Sequence, residues 1–164
     1  MMKYCPQCAD ELTVKTMDGV PRKVCNTPQC GFVFWDNPVP VVAAVVEYED
    51  QILLARNAQW PEGVFSMITG YLERDETPEQ AVLREVQEEL GLDGQLTQLI
   101  GHYSFFKRNQ LIIAYAVNAS GELQLNHEIA EVKRVDKRSV HPDEFGKLQI
   151  TAKVFEDWLK ITGR

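Results

Sequence analysis

The fold of this chain is decided by one stretch, GYLERDETPEQAVLREVQEELGL, which covers residues 70–92. Its middle carries the signals of a helix start. Thr77 and Gln80 have the spacing of a capping box, and Pro78 falls at the first helical position. Gly91 is a stop signal at the other end. The stretch therefore predicts a helix that begins at Thr77 and ends just before Gly91.

The predicted helix has an apolar face bordered by acids. Its apolar residues recur every four positions, the spacing of a buried stripe: Val82, Val86 and Leu90. Glu85, Glu88 and Glu89 lie at i, i+3 and i+4, so they share one sector of roughly 100° beside that stripe. Three like charges at this spacing destabilise a bare helix, and hard divalent cations such as Mg²⁺ relieve the repulsion. A solvated acidic face is the alternative interpretation.

The charge of the chain is distributed unevenly. Its formal net charge of −7 argues against a protein whose main partner is a phosphate backbone, so a nucleic-acid partner is not expected. Residues 70–92 hold seven acids and two bases, which is −5 of the −7. Because such crowding is unfavourable unless cations lie among the carboxylates, the charge pattern points to the same stretch as the helix signals do.

The bulk composition is that of a soluble globular protein, with 45% hydrophobic and 25% charged residues. No apolar run approaches the roughly 20 residues needed to cross a bilayer. The first five residues, Met-Met-Lys-Tyr-Cys, lack the apolar core of a signal peptide. We therefore expect a cytoplasmic protein with no membrane partner.

The composition changes abruptly near residue 38. All four cysteines lie before Asn37, whereas residues 39–46 read VPVVAAVV. Pro38 and Pro40 suit a stiff linker between the two parts. The sequence thus predicts two domains, residues 1–37 and residues 38–164.

The second part alternates strand and helix signals. Predicted strands cover residues 41–48, 51–55, 95–106, 111–117 and 131–135, with a turn at Glu49-Asp50 and another at Arg108-Asn109. A second helix is predicted over residues 153–161, with an apolar face formed by Val154, Phe155, Trp158 and Leu159. Strands with two amphipathic helices imply an α/β fold in which a mixed sheet is sandwiched between the helices, an α/β/α arrangement.

The pattern Gly70-x5-Glu76-x7-Arg84-Glu85-Val86-x-Glu88-Glu89-x-Gly91-Leu92 matches every fixed position of the Nudix box. From about Val39 onward the chain therefore resembles the Nudix hydrolases, and the resemblance implies the Nudix α/β/α sandwich. It also implies Mg²⁺-dependent (or Mn²⁺-dependent) hydrolysis of the pyrophosphate bond in a nucleoside diphosphate derivative. ADP-ribose, FAD or a similar dinucleotide is the expected substrate, and a nucleoside monophosphate the expected product.

The same resemblance assigns roles at the metal site. Glu85 and Glu89 correspond to the principal metal ligands, and Glu88 to a further ligand or to the group that helps to activate water. The family also takes one ligand from the backbone carbonyl that precedes the box glycine, which here belongs to Thr69. A carbonyl ligand does not depend on the side chain, so the site is expected to survive Thr at that position.

Four other residues have expected or alternative roles by resemblance. Arg84 and Glu76 correspond to a structural pair that orients the metal face. Many relatives use a glutamate from a downstream loop as a catalytic group, and Glu128 lies at the corresponding place. Glu131 is the alternative, and either residue can instead be a surface acid.

The cysteines form two pairs, Cys5-Pro-Gln-Cys8 and Cys25-x4-Cys30-Gly31. Four thiolates in this arrangement suit a tetrahedral structural Zn²⁺, and the Pro and Gly favour tight turns. The second pair has four intervening residues where two are commoner. Disulfides are the alternative, but a chain without an export signal is in a reducing compartment. The sequence predicts a small N-terminal zinc ribbon with no open coordination position.

A dinucleotide needs an aromatic platform for a base and cations for its phosphates. The candidates for substrate binding are Arg56, Tyr103 and Phe105, with Phe106, Lys107 and Arg108 beside them. The other aromatic candidates are Phe34, Trp35 and Trp60. Each aromatic residue can instead pack in the core or in a dimer interface.

A zinc ribbon directly before a Nudix domain resembles the NADH pyrophosphatases and the FAD/ADP-ribose diphosphatases. The NADH pyrophosphatases carry a Ser-Gln-Pro-Trp-Pro-Phe-Pro-x-Ser signature after the box, whereas residues 102–108 here read HYSFFKR. The sequence therefore does not support NADH specificity. By analogy we expect a homodimer. Decapping of nucleotide-capped RNA and a non-catalytic nucleotide sensor are the alternative functions.

Overall fold

The computed structural model describes residues 2–138, 141, 145 and 148–163 of the chain. The chain divides into two compact units, and the boundary lies between Asn37 and Pro38. No helix among the described residues is long and apolar enough to span a membrane.

The first unit contains one antiparallel sheet with the strand order β1-β2-β3. Its strands are β1 (Thr13–Met17), β2 (Val20–Val24) and β3 (Val33–Phe34). The first cysteine pair precedes β1, and the second lies between β2 and β3. The small sheet therefore carries two loops that each present a pair of thiols.

The described residues of the second unit form a six-stranded mixed sheet and two helices. The strands are β4 (Val39–Tyr48), β5 (Gln51–Asn57), β6 (Ile68–Tyr71), β7 (Asp93–Phe105), β8 (Gln110–Ser120) and β9 (Ile129–Asp136). Their order is β7-β8-β4-β5-β9, and β6 pairs with β4. Among the pairings that the structure describes, β4 with β8 alone is parallel. The helices are α1 (Pro78–Leu90) and α2 (Gln149–Thr162).

The central strand β4 divides the core into two layers. Its residues Val41, Ala43 and Val45 face a cluster that contains Val154, Phe155 and Trp158 of α2. The alternate residues Val42, Ala44 and Val46 face a second cluster that contains Val82, Val86 and Leu90 of α1. Because neighbouring residues of a strand point to opposite faces, one apolar run covers both sides of the sheet. The predicted α/β/α sandwich is confirmed.

Helix α1 forms as the sequence predicts. Thr77 accepts from the backbone N–H of Gln80, and the Gln80 side chain accepts from the backbone N–H of Thr77, which completes the capping box. Pro78 is the first helical residue, and Gly91 ends the helix in the left-handed conformation with φ of 70°. The predicted stripe is buried, with Val82 1% exposed. The local sequence signals alone were sufficient to predict where α1 begins and ends.

Other boundaries differ from the predicted ones by a few residues. The strand predicted over residues 95–106 ends at Phe105 instead, because Phe106–Arg108 form a 3₁₀ turn between β7 and β8. Helix α2 begins at Gln149, four residues earlier than expected, and no side chain caps its start. Strand β6 was not predicted, because a four-residue segment that contains Gly70 gains its extended form only by pairing with β4.

Candidate functional site

The three glutamates of α1 differ strongly in exposure. Glu89 is only 6% exposed. The side chain of Glu85 is 13% exposed, and that of Glu88 is 55% exposed. The predicted acidic sector is therefore not a uniformly solvated face: two of its carboxylates lie largely out of water, at the border between α1 and the sheet.

Strand β6 meets this border at Gly70. A Cβ atom built on Gly70 would lie 1.9 Å from both Cδ and Oε1 of Glu85. The Glu85 carboxylate thus lies directly against the Gly70 backbone, in space that any side chain at position 70 would fill. Thr69, whose carbonyl is an expected ligand, is the neighbouring residue of the same strand and pairs with Ala43.

Arg84 connects the box loop to the acidic sector. Its Nε and Nη2 donate to the two carboxylate oxygens of Glu76 at 3.1 and 2.9 Å, so the predicted pair is confirmed as a two-point contact. Its Nη1 donates to Glu85 at 2.7 Å and to Glu88 at 3.1 Å. Nη2 also donates to the backbone oxygen of Tyr71 at 3.1 Å. The hydrogen bonds from Arg84 lower the pKa of Glu76.

Glu89 lacks such a cation. Among the residues that the structure describes, none donates a hydrogen bond to the Glu89 carboxylate and none forms an ion pair with it. Burial raises the pKa of Glu89 to about 8, and the charges of Glu85, Glu128 and Glu88 add to the effect. Burial also raises the pKa of Glu85 in spite of the bond from Arg84. The acidic cluster of Glu85, Glu88, Glu89 and Glu128 is therefore short of positive charge.

The loop before β9 holds Glu128 near this cluster. The backbone N–H of Asn126 donates to the backbone oxygen of Glu89 at 3.3 Å, and Asn126 Oδ1 accepts from the N–H of Glu128 at 2.9 Å. The carbonyl of Glu128 accepts from Ala58 at 2.7 Å. These three bonds tie the loop to α1 on one side and to the end of β5 on the other. Sequence patterns do not mark Asn126, whose side chain forms a local turn.

The alternative downstream glutamate is already engaged. Glu131 of β9 forms an ion pair with Arg56 of β5, with 3.2 Å between Nε and Oε2. The Arg56 side chain is 16% exposed, and its Nη1 also lies 3.4 Å from the backbone oxygen of Trp60. The two residues neutralise each other at the sheet surface, which leaves Glu128 as the downstream glutamate whose charge acts on Glu85 and Glu89.

The two predicted aromatic candidates lie on the other side of the sheet. Tyr103 and Phe105 pack against the core cluster that contains α2. The hydroxyl of Tyr103 donates to Oδ2 of Asp157 on α2 at 3.1 Å, and burial together with this contact raises the pKa of Tyr103. The structure thus shows both rings as packing residues and does not bring them to the glutamates of α1.

An exposed aromatic residue adjoins the box glycine in the chain. Tyr71 follows Gly70 directly and is 57% exposed. Its hydroxyl accepts from Nε2 of Gln110 at 3.3 Å. The box pattern leaves position 71 unspecified, so motif matching did not single it out. Its place beside the box glycine is the signal that identifies it.

The four cysteines form a compact group in the first unit. Their Sγ atoms all lie within 4.8 Å of one another, the one such group of potential metal ligands in the described part of the chain. Two of the separations are 3.6 Å (Cys5 to Cys30) and 3.4 Å (Cys8 to Cys25). Tetrahedral zinc with Zn–S bonds of about 2.3 Å requires S···S separations of roughly 3.8 Å. The thiols therefore fit a Zn²⁺ ion, and no disulfide joins them.

The second cysteine loop accommodates its four intervening residues by two backbone turns. The N–H of Cys30 donates to the carbonyl of Thr27, and Gln29 and Gly31 have φ of 65° and 67°. The N–H of Cys25 donates to Phe32. The longer spacing therefore closes into a loop that still brings Cys30 to the other thiols.

The carboxylate oxygens of the acidic cluster also fit a metal ion, but a harder cation than Zn²⁺. Carboxylate oxygens are the ligands that Mg²⁺ prefers, and a cation would compensate the buried charge of Glu89. The glutamate oxygens are not gathered as tightly as the thiols, because Nη1 of Arg84 contacts both Glu85 and Glu88. An ion at this place would compete with Arg84 for the two carboxylates.

Comparison with known families identifies the class of protein to which this sandwich and its glutamate-bearing helix belong. The family model of the NUDIX domain matches residues 37–159. The chain belongs to the NUDIX family.

Among individual proteins, the chain is similar to the NAD-capped RNA hydrolase NudC of Pseudomonas aeruginosa, with 30% identity over 122 residues. That match covers 74% of this chain and 42% of the relative. NudC of Stutzerimonas stutzeri is 31% identical over 147 residues, 89% of this chain and 50% of that protein. The chain thus spans at most half the length of these two relatives.

Among solved structures, a NUDIX hydrolase from Nitrosomonas europaea has a TM-score of 0.83 and 23% identity. The match covers 99% of this chain and 94% of the other. At this level of identity the likeness supports the fold.

Proposed function

We propose that this chain hydrolyses the pyrophosphate bond of a nucleoside diphosphate derivative, such as ADP-ribose, FAD or a similar dinucleotide, and releases a nucleoside monophosphate. The observation that carries the proposal is the acidic cluster. It holds a buried carboxylate at Glu89, beside which no cation lies among the residues that the structure describes, and the Glu85 carboxylate lies against the bare backbone of Gly70. A carboxylate group in such surroundings is unfavourable unless it binds a cation.

The catalytic cation in this proposal is Mg²⁺ or Mn²⁺. Glu85, Glu89 and the carbonyl of Thr69 would hold it, with Glu88 at the exposed edge as a further ligand. When bound, a divalent ion neutralises phosphate oxygens, lowers the pKa of water and stabilises the leaving phosphate.

The protein groups supply proton transfer and orientation. Glu128 accepts the proton of the attacking water in this proposal, because its charge acts on Glu89 and three hydrogen bonds tie its loop to α1 and to the end of β5. A positioned base of this kind typically contributes about 10²–10⁴-fold to the rate. Glu88 is the alternative base. The Arg84–Glu76 pair acts indirectly, because it holds the box loop against α1.

Substrate contacts follow from what surrounds the cluster. Tyr71 offers an exposed ring within one residue of Gly70, which suits stacking of a base or another flat group. Arg56 offers a cation for the phosphates, provided that it leaves Glu131. Tyr103 and Phe105, which pack against the cluster that contains α2, stay predictions as substrate contacts.

Decapping of nucleotide-capped RNA is a second candidate function. The named activity of both NudC relatives favours it, and the reacting bond is again a pyrophosphate. The net charge of −7 favours the smaller substrates. The non-catalytic alternative is less well supported, because every carboxylate of the box is present.

We propose further that the four cysteines bind one structural Zn²⁺, that the chain forms a homodimer and that it works in the cytoplasm. The reduced thiols suit a reducing compartment. Metal analysis of the purified protein tests the first statement, and light scattering coupled to size-exclusion chromatography tests the second.

A substrate panel tests the activity. The protein is incubated with MgCl₂ and ADP-ribose, FAD, NADH or NAD-capped RNA, and the nucleoside monophosphate is followed by chromatography. We expect release of AMP from at least one compound, and none from the Glu89→Gln variant. A folded protein that turns over none of the panel with either Mg²⁺ or Mn²⁺ contradicts the proposal.

A further inference from the structure

The hairpin between β7 and β8 displays an aromatic ring and two cations at its tip. Phe106, Lys107 and Arg108 form a 3₁₀ turn, and Asn109 closes it in the left-handed conformation with φ of 51°. Phe106 is 90% exposed. Lys107 and Arg108 are exposed as well. We call these three residues the Phe-Lys-Arg turn.

The two cations of the turn differ in their ion pairing from most other lysines and arginines in the second unit. Most of the described lysines and arginines there form ion pairs, among them Arg56, Arg84, Arg134, Lys137, Lys153 and Lys160. Neither Lys107 nor Arg108 pairs with an acid in the part of the chain that the structure describes. In a chain of net charge −7, two adjacent unpaired cations beside a bare ring form a local positive surface.

The turn lies at the same end of the sheet as the acidic cluster. Tyr71 and Ile112 both pair with Val41, from opposite sides of β4. Gln110, which begins β8 directly after the turn, donates to the Tyr71 hydroxyl at 3.3 Å. With neighbouring strands about 4.8 Å apart and about 3.3 Å per residue along a strand, the tip of the hairpin is on the order of 15 Å from Tyr71.

We propose that the Phe-Lys-Arg turn binds a single-stranded nucleic acid chain whose 5′ end lies in the acidic cluster. Lys107 and Arg108 contact successive phosphates of the chain, and a base stacks on Phe106. Cations that follow a backbone, next to rings on which bases stack, bind single strands without reading their sequence. The inference rests on the proposed pyrophosphate hydrolysis and extends it to substrates that carry a polynucleotide.

The net charge of −7 does not oppose this surface. General attraction to nucleic acid depends on the charge of the whole protein, whereas contacts to two phosphates depend on the local cations. The expected behaviour is therefore weak binding of nucleic acid by itself, and a distinct gain when its 5′ end is also held at Tyr71 and the acidic cluster.

The test compares two variants of the turn with a matched pair elsewhere. Phe106→Ala removes the ring, and Lys107→Ala/Arg108→Ala removes the cations. Lys133→Ala/Arg134→Ala is the control, because it removes the same Lys-Arg dipeptide from β9 at the opposite edge of the sheet. Each full-length protein is assayed on free NAD and on an NAD-capped RNA oligonucleotide of about ten nucleotides, at several salt concentrations. Binding of the fluorescently labelled capped oligonucleotide to the inactive Glu89→Gln background is measured by anisotropy.

We expect each turn variant to lower kcat/KM for capped RNA by roughly 10- to 100-fold and to change kcat/KM for NAD less than twofold. The double variant should also reduce the slope of log K against log salt by about 1.4, which corresponds to two phosphate contacts on a single strand. The control should leave the ratio of the two activities unchanged.

Equal losses on both substrates, or no loss on capped RNA, overturn the inference. A change of oligomeric state by light scattering in Phe106→Ala also overturns it, because the ring then packs against a second copy of the chain. If the wild type hydrolyses no substrate, the proposed function fails. The anisotropy measurement then tests by itself whether the Phe-Lys-Arg turn binds the oligonucleotide. Unchanged binding in the turn variants then excludes the surface.

Discussion

The contact between Gly70 and the Glu85 carboxylate leads to a prediction with a calculable displacement. In Gly70→Ala, the new Cβ would lie 1.9 Å from Cδ of Glu85 and 2.5 Å from its second oxygen. Carbon atoms in ordinary contact are about 3.5–4.0 Å apart. The carboxylate must therefore move by at least about 1.5 Å, since the backbone of β6 is held by its pairing with β4.

The magnitude of the effect on activity follows from this displacement. A misplacement of about 1 Å in a catalytic group commonly costs about 10²-fold in rate. We expect Gly70→Ala to lower kcat/KM at least 10²-fold, about 2.7 kcal/mol of transition-state stabilisation. Mn²⁺ affinity, measured by calorimetry, should decrease in parallel. The melting temperature should stay within a few degrees, because Gly70 does not have a positive φ and the clash is with the end of a flexible side chain.

Two further variants separate this mechanism from general damage to the sheet. Gly94→Ala is a matched control on β7: its Cβ would lie 3.0 Å from Leu83 and Val117, so it should lower stability by roughly 1–3 kcal/mol and leave kcat intact. In the double variant Gly70→Ala/Glu85→Gln, the loss should be no larger than that of the more severe single change, because both act on one carboxylate. Full activity of Gly70→Ala, or losses that multiply in the double variant, would refute the reasoning.

Four more outcomes are expected. Glu89→Gln should abolish turnover and leave the melting temperature unchanged or higher, since it removes a buried charge, while Glu122→Gln on the exposed loop should change neither; residual activity in the first variant removes Glu89 from the site. Without added divalent ions, thermal stability should fall as pH rises from about 5 through about 8, because the pKa of Glu89 is raised to about 8 and the folded state binds the extra proton only below that value. Calorimetric scans across this range should show a shallower slope in Glu89→Gln, with the remainder due to Glu85, whose pKa is also raised. Glu128→Gln should lower kcat about 10²–10⁴-fold with Mn²⁺ affinity retained, whereas Glu131→Gln should have the smaller effect; the reverse order in steady-state kinetics would exchange their roles. Purified protein should contain one zinc per chain by elemental analysis, and Cys25→Ser should lose it together with the circular-dichroism signal of the first sheet; a zinc-free protein of unchanged stability contradicts a structural metal.

The elements that the sequence determined by itself are those whose causes are local. Helix α1 begins and ends where its capping box and Gly91 place it, because these hydrogen bonds join residues a few positions apart. The two-sided burial of β4 is likewise visible as a continuous apolar run, and the boundary near Pro38 as a change of composition. The box glutamates share a face for a similar reason, since helical periodicity alone brings positions 85, 88 and 89 together.

Tertiary structure decided everything that depends on which strands become neighbours. Tyr103 and Phe105 have the composition of a substrate platform, but strand alternation places them against α2, away from the glutamates. Glu131 is neutralised by Arg56 because β9 pairs with β5, a contact across 75 residues of sequence. Tyr71 reaches Gln110 only because β6 and β8 flank the same strand. The sequence pattern within one strand or helix does not contain the order of strands in the sheet, so these contacts, and the burial of charge that they cause, arise only when the sheet forms.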